Sequence, residues 1–202
     1  MTQLSLFSAD LAEPRPEDLG GLLAAHGQAA RSGPAARLSI LLDQEWRAHA
    51  LMRECRVRDV AAEIVEVPAA GGVRSVGPMP VLLRTERVPE LSGIADAWIR
   101  GAVKSVPSGL TLGAGMLRCW TLAAGRPDEA GFLLGLDPHA PETHEPLAAA
   151  CSRAGVAGSI IGTRAGGPAV RVVGYRRLMR LAELLGTVPP DAPAEAFPSP
   201  MR

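Results

Sequence analysis

Two cysteines and two histidines carry side chains that could bind a transition metal: Cys119, His139, His144 and Cys151. Zinc sites in proteins usually hold their ligands in close pairs, such as Cys-x2-Cys or His-x3-His. None of these four residues forms such a pair, and with Cys55 the number of cysteines is odd. The pattern favours reduced cysteines that pack as small apolar residues. We therefore expect no metal and no other cofactor.

The glycine-rich residues 109–115 (GLTLGAG) precede a predicted helix and could hold a phosphate at its N-terminus. They lack the Lys-Ser/Thr of a P-loop, so a linker between two parts of the chain is the favoured interpretation. No nucleophile-elbow motif surrounds a serine, and hydrolase chemistry has no support. The sequence predicts no small-molecule substrate.

Four arginines on predicted strands or at a hairpin tip could contact DNA phosphates: Arg37, Arg84, Arg164 and Arg171. Along the three strands, apolar residues alternate with the arginine, so the arginine should face away from the helices. A sheet face that carries arginines suits phosphate contacts on a duplex. An ordinary solvated face explains the same pattern. For the helical Arg176, Arg177 and Arg180, a solvated face is the favoured interpretation over a DNA-flanking patch.

The segment Gln3-Leu4-Ser5-Leu6-Phe7 combines an amide with three large apolar side chains. It resembles the peptide by which bacterial replication and repair proteins dock onto the sliding clamp, the β subunit of DNA polymerase III. In an extended peptide, Leu6 and Phe7 could enter an apolar pocket while the Gln3 amide makes orienting hydrogen bonds. The alternative is an N-terminal strand that covers the chain's own core.

Composition excludes several classes of protein. The chain is 47% hydrophobic and 21% charged, as in globular proteins, and its net charge is zero. Residues 101–180 carry nine basic against five acidic residues, a local excess of four. With three Phe, three Trp and one Tyr, stacking on single-stranded bases is a poor fit. No apolar stretch is long enough for a membrane span, and no secretory signal opens the chain, so we expect a cytoplasmic protein.

Two stretches show the same order of predicted elements, α-β-α-β-β-α. The first has a helix at 19–30, a strand at 37–42, a helix at 43–56, strands at 62–67 and 79–87, and a helix at 89–103. The second has a helix at 115–125, a strand at 131–136, a helix that opens at Thr143, strands at 156–163 and 169–173, and a helix at 175–185. We predict an N-terminal peptide and linker (1–18), two repeats (19–106 and 107–186) and a disordered proline-rich tail (187–202).

Residues 19–27 (LGGLLAAHG) and 117–125 (LRCWTLAAG) resemble the signature peptide of LAGLIDADG homing endonucleases. That resemblance implies an α+β fold with a pseudo-twofold axis. The signature helices would pair at the axis, and two antiparallel sheets, with helices on one face, would form a saddle over DNA. Residues 116–125 and 141–186 are similar to the WhiA regulators, whose N-terminal domain is a non-cutting version of this fold.

Two departures from the family pattern bear on activity. The acidic residue that ends each endonuclease signature binds the divalent metal, and hard cations prefer oxygen ligands. The matching positions here are His26 and Ala124, so the resemblance predicts a catalytically inactive site. The WhiA regulators also have a C-terminal helix-turn-helix domain, which we do not find in this sequence.

The sequence thus favours a non-catalytic accessory or regulatory protein that binds duplex DNA in the nucleoid during replication or repair. Its N-terminal peptide would recruit it to the sliding clamp. A protein-interaction module that has lost DNA binding is the alternative, and an active nuclease is the least favoured interpretation.

Overall fold

The computed structural model describes residues 8–66 and 80–198. The first half of the chain has the order α-β-β-α-β-β-α: α1 (Gly20–Ala24), β1 (Gln28–Ser32), β2 (Ala35–Leu42), α2 (Glu45–Arg56), β3 (Ala62–Glu66), β4 (Val81–Thr85) and α3 (Ser92–Trp98). A short hairpin follows, formed by β5 (Ile99–Arg100) and β6 (Val103–Lys104). The second half repeats the order: α4 (Ala114–Ala124), β7 (Gly125–Asp128), β8 (Gly131–Gly135), α5 (His144–Arg153), β9 (Gly158–Ile161), β10 (Ala169–Val173) and α6 (Tyr175–Leu185). Across the described ranges, no helix combines the length and hydropathy that crossing a membrane requires.

Each half builds one four-stranded antiparallel sheet, in the order β1-β2-β4-β3 and β7-β8-β10-β9. The register of the strands is also shared. One row of paired residues crosses each sheet at the same place: Gln28, Ser39, Arg84 and Glu63 in the first, and Arg126, Leu133, Arg171 and Ser159 in the second. Matching strand order and register confirm the duplicated α+β fold predicted from the sequence.

The first strand of each sheet, β1 and β7, was absent from the predicted order. The sequence predicts that residues 28–30 continue the helix at 19–30, but α1 ends at Ala24 and the Gly27 amide donates to the Leu22 carbonyl at 2.9 Å. The alanines of β1 have helical propensity, and pairing with β2 overrides it. The β7 sequence, Gly-Arg-Pro-Asp, contains poor strand formers that an edge strand tolerates.

The helix predicted at 89–103 is also too long. A 3-10 turn at Pro89–Leu91 leads into α3, which ends at Trp98. The chain then reverses through Gly101, whose φ of +64° lies in the left-handed region that glycine adopts easily. This reversal places Lys104 on β6, where its side chain is buried.

The paired helices α1 and α4 form the centre of the molecule and lie unusually close together. A Cβ atom on Gly21 would lie 2.6 Å from the backbone nitrogen of Trp120 and 2.8 Å from Cys119 Cβ. It would also collide with the carbonyl oxygen of Met116. Only glycine fits this contact, which is why the small residues of the first signature peptide are required. The Trp120 indole donates to the Gly135 carbonyl at 2.7 Å and ties α4 to β8.

The inner faces of both sheets pack against the helices in one continuous apolar core. In β2, Leu38, Ile40 and Leu42 are buried, as the alternating pattern predicted, and Val170 and Val172 are buried in β10. The other face of each sheet points away from this helical layer. The positions that alternate with the core residues therefore form the outer strand faces, on which the predicted arginines lie.

Both ends of the described chain pack on the second half. The stretch 187–202, for which the proline content predicts disorder, is described as far as residue 198, and within it Ala196 and Phe197 are buried. Ser8, in the stretch predicted to be a linker, is 1% exposed. Phe197 joins the main core. An apolar docking contact of this kind offsets the chain entropy that favours disorder.

Candidate nucleic-acid interface

Arg84 and Arg171 occupy equivalent positions on the two outer strand faces. Each forms an ion pair with a carboxylate. Arg84 donates to Glu63 on the neighbouring strand β3 at 2.6 Å, and Arg171 Nε lies 3.0 Å from the Asp128 carboxylate of β7. These two ion pairs neutralise part of the positive charge that the arginines place on the outer strand faces.

Arg37 and Arg164 are placed differently. Arg37 lies on the outer face of β2, between the buried Ala36 and Leu38. Arg164 is exposed in the loop that joins β9 to β10. Within residues 8–66 and 80–198 neither guanidinium forms an ion pair. Both are available to an anionic ligand.

Arg126 is a further outer-face cation that the sequence reasoning missed, because β7 was not recognised. It sits in the row of Leu133 and Arg171, and in the described part of the chain it has no carboxylate partner. The turn signal Asp128-Glu129-Ala130-Gly131 after it could have indicated the hairpin. On the described strands, four outer-facing arginines thus stand against two carboxylates: Arg37, Arg84, Arg126 and Arg171 against Glu63 and Asp128.

A cleft of about 500 Å³ lies where α1 and α4 end, on the side of the outer strand faces. His26 and Ala124, the two signature positions, both line it, together with Leu41 and Arg126. His26 Nε2 lies 2.7 Å from the Leu41 carbonyl oxygen, a hydrogen bond in which the imidazole donates. The sequence comparison of the two signatures therefore identified positions that the fold brings together.

Buried cations hold the C-terminal ends of both central helices. From α2, the Arg47 guanidinium donates to the carbonyls of Thr121, Leu122 and Gly125 at 3.2, 2.9 and 2.5 Å. These carbonyls carry the negative end of the α4 dipole, so a cation there is favourable. Burial lowers the pKa of Arg47, against the opposing effect of Asp43, while Arg126 lowers it further.

Lys104 has the matching role at α1. Its ammonium donates to the Ala25 carbonyl at 3.1 Å and to the Asp137 carboxylate at 2.5 Å. Both side chains of this ion pair are at most 5% exposed. Burial lowers the pKa of Lys104 despite the hydrogen bond to Asp137. Burial by itself would raise the pKa of Asp137, but the hydrogen bonds from Lys104 and the His139 amide hold it below the ordinary value.

Neither signature position at the cleft offers a carboxylate to a divalent metal, and Asp43, a carboxylate that also lines the cleft, lies 3.7 Å from Arg47 Nε. A hard cation needs several oxygen ligands, and the two signature positions supply an imidazole and a methyl group. The Arg47 and Arg126 cations also face this region and would repel a metal ion. In the part of the chain that the structure describes, no three His, Cys, Asp or Glu side chains converge on one point.

The peptide Gln3-Leu4-Ser5-Leu6-Phe7 lies outside the described residues. Its predicted docking on a sliding clamp stays a prediction. The structure does place the residue that follows it, since Ser8 is buried beside the C-terminal end of α6.

Comparison with known proteins bears on the fold. No protein-family model and no curated protein matches the sequence. Among solved structures, the homing endonuclease I-WcaI bound to its DNA recognition sequence matches with a TM-score of 0.66. The two chains are 12% identical, and the match covers 93% of this chain and 87% of the other. At this identity the likeness establishes the fold: the chain has the duplicated architecture of LAGLIDADG-type homing endonucleases.

Proposed function

We propose that the chain is a duplex DNA-binding protein that does not cut, with the two outer strand faces as its DNA-binding surface. The observation that carries the proposal is the excess of arginine on those faces, in a fold whose solved relative is bound to DNA. Outward-facing guanidinium groups neutralise phosphates and release counterions. A protein of this kind would associate with the nucleoid.

The absence of cutting is proposed from the chemistry of the cleft. His26 and Ala124 replace the carboxylates that the resemblance to endonucleases would require, and Arg47 bonds to the end of α4. In this respect we propose that the chain is similar to the non-cutting WhiA domain. The protein would then act in replication, repair or transcription regulation by being recruited to DNA, and not by cleaving it.

We further propose that Gln3-Leu4-Ser5-Leu6-Phe7 recruits the protein to the sliding clamp. The support is the sequence of the peptide and its position, directly before the buried Ser8. An extended peptide that inserts two apolar side chains into a pocket can bind without any change in the folded core.

Replacing both unpaired sheet arginines, Arg37→Ala with Arg126→Ala, is expected to weaken duplex binding on the order of tenfold at low salt. The slope of log affinity against log salt should fall by about 2, because two phosphate contacts are lost. Fluorescence anisotropy of a labelled duplex across a salt series measures both quantities. The loss should be the same for unrelated DNA sequences, since phosphate contacts carry no sequence information.

Arg56→Ala provides the matched control, because Arg56 is an exposed cation at the end of α2, in the helical layer. It should leave both the affinity and the salt slope unchanged. If the wild-type protein fails to bind duplex DNA even at low ionic strength, the proposed function is wrong.

Supercoiled plasmid incubated with the protein and Mg²⁺ or Mn²⁺ is expected to remain intact, because neither signature position, His26 or Ala124, supplies a carboxylate to hold the metal. Gel electrophoresis over a time course measures nicking, and a His26→Ala variant controls for contaminating nuclease. Metal-dependent nicking that His26→Ala abolishes would show that the cleft is an active site.

Leu6→Ala with Phe7→Ala is expected to abolish retention of the protein on an immobilised bacterial sliding clamp, because both apolar anchors are removed. Retention is measured by pull-down, and the variant should keep wild-type affinity for DNA. Leu11→Ala is a suitable control, since Leu11 is an exposed leucine close to the peptide. Equal retention of the wild-type protein and the double variant would rule out the clamp peptide.

An apolar row on the first outer strand face favours a second candidate, a protein-interaction module. Leu82 pairs with Leu41 on one side and with Val65 on the other, and Leu41 is 46% exposed. Exposed apolar rows of this kind commonly mark protein interfaces. The duplex titration separates the candidates, because a module of this class would show no salt-dependent DNA binding.

A further inference from the structure

Three apolar side chains form a row across the outer face of the first sheet, here called the leucine row: Leu41 of β2, Leu82 of β4 and Val65 of β3. Leu82 pairs directly with both of the others. Leu41 is 46% exposed, and Leu82 and Val65 are partly exposed. The residues that alternate with them, Leu83 and Ile64, pack in the core. The leucine row therefore faces away from the core, and its apolar surface gains free energy when a partner covers it.

The second sheet does not repeat the leucine row. The shared strand register makes Gly135, Ala169 and Ile161 the equivalents of Leu41, Leu82 and Val65. Glycine has no side chain, Ala169 is fully buried, and Ile161 is 9% exposed. The second half thus builds the same sheet without an exposed apolar row at this place. The leucine row is a feature of the first half that the fold itself does not require.

Unpaired cations lie on both sides of the leucine row. Arg37 is four residues before Leu41 on the same outer face, or about 13 Å along the strand. On the other side of Leu41 is the cleft, which Leu41 and Arg126 line together. Between Arg37 and the row, the Arg84 guanidinium is neutralised by Glu63. The order along this surface is therefore cation, apolar row, cation.

This order matches the major groove of a DNA duplex. The groove is about 12 Å wide, phosphates flank it on both sides, and the C5-methyl group of thymine is the apolar group on its floor. An apolar protein partner would gain nothing from guanidinium groups on both sides of the row. The flanking cations therefore favour DNA over a protein as the partner of this row.

We propose that the leucine row recognises thymine in the major groove by covering C5-methyl groups, so that the protein prefers thymine-containing duplexes. This proposal rests on the proposed function. The row crosses three strands, or about 10 Å, which is the length of about three base pairs. Arginine contacts with phosphates then supply affinity for any sequence, and the leucine row supplies the preference.

The test compares a labelled alternating dA-dT duplex with the same duplex in which deoxyuridine replaces every thymidine. The two duplexes have the same phosphates and the same base-pairing groups and differ in the C5-methyl groups. Affinity for the uracil duplex should be about tenfold lower, which corresponds to two methyl groups no longer buried. The slope of log affinity against log salt should be the same for both, because the phosphate contacts are unchanged. Fluorescence anisotropy measures affinity and slope.

A second pair of duplexes separates methyl recognition from a general preference for A·T pairs. 5-Methylcytosine carries its methyl group at the place in the major groove where thymine has its own. An alternating dG-dC duplex should therefore be bound more tightly when 5-methylcytosine replaces cytosine. Unchanged or weaker binding of the methylated duplex would contradict the proposal.

Leu41→Ala assigns the effect to the leucine row. It should lower the tenfold discrimination between the thymine and uracil duplexes to about threefold, because the most exposed side chain of the row is lost. The hydrogen bond from His26 is kept, since its acceptor is the backbone carbonyl of Leu41. Val57→Ala is the matched control: Val57 is 57% exposed at the end of α2, in the helical layer, and its loss should leave the discrimination at tenfold.

The outcomes distinguish this proposal from the function on which it rests. Equal affinity for the thymine and uracil duplexes would overturn methyl recognition and leave duplex binding standing, with the row free for a protein partner. Full discrimination retained by Leu41→Ala would overturn the assignment to the leucine row. Failure of the wild-type protein to bind either duplex at low salt would overturn the proposed function as well.

Discussion

Gly21→Ala is expected to lower the free energy of unfolding by about 3 kcal/mol, because one methyl group forces α1 and α4 apart. The added carbon would lie 2.6 Å from a backbone nitrogen of α4 and against the Met116 carbonyl oxygen. Backbone atoms cannot move away as a flexible side chain can. For a chain of this length, a loss of this size lowers the melting temperature by roughly 6–12 °C. Thermal and urea unfolding measure it.

Gly93→Ala is the matched control for Gly21→Ala. Gly93 is also helical, in α3, but a Cβ atom there has open space around it. Alanine in a helix is favoured over glycine by up to about 1 kcal/mol, so this variant should be as stable as the wild-type protein or more stable. Equal effects of the two substitutions would show that helix propensity, and not close packing of α1 on α4, sets the stability.

Lys104→Met is expected to cost about 3–5 kcal/mol, because it leaves the Asp137 carboxylate buried without its partner. The pair joins the end of α1, through the Ala25 carbonyl, to the segment after β8. The loss should therefore destabilise the contact between the two halves. The free energy of unfolding in urea measures the effect, and the change in m-value reports whether the halves still unfold together.

Two controls identify the buried charge as the cause of this loss. Lys104→Met with Asp137→Leu removes both charges and should recover most of the stability, since apolar replacement of a buried pair is often neutral. Arg31→Met breaks the ion pair with Asp96, in which both side chains are about half exposed, and should cost less than about 1 kcal/mol. A double variant as unstable as Lys104→Met would show that lysine packing, rather than charge pairing, matters.

The pKa of Asp137 determines the pH range in which the Lys104–Asp137 ion pair stabilises the fold. Because the folded pKa lies below the ordinary 3.8, the stabilisation is complete above that value and is lost as the pH falls through the folded pKa. The difference in stability between the wild-type protein and Asp137→Asn should therefore be constant near neutral pH. It should shrink in acid below about pH 4.

The register of the strands explains why the outer faces carry both paired and unpaired arginines. Sequence alternation correctly placed Arg37, Arg84 and Arg171 opposite the core residues, since a strand alternates its side chains strictly. Alternation within one strand carries no information about its neighbours. Arg84 of β4 pairs with Glu63 of β3, and the sequence does not show that these two strands are neighbours. Arg171 pairs with Asp128 of β7, a strand that the sequence pattern does not predict.

The apolar faces of the strands, the two signature segments and the duplicated plan can be read from the sequence alone, because they depend on local periodicity and on repetition of short patterns. The sequence also identifies His26 and Ala124 as the residues near the end of the two signature peptides, because aligning the two peptides requires no knowledge of the packing. Only the folded structure shows the edge strands β1 and β7, the docking of residues 8–10 on the end of α6, and the placement of Arg47 and Lys104 at the helix ends. A hydrogen bond or ion pair between distant segments depends on where both partners lie in space, and local sequence patterns do not contain that information. Gly21 shows the same division: its identity can be read from the sequence, but only the contact with Trp120 and Cys119 shows why a glycine is needed there.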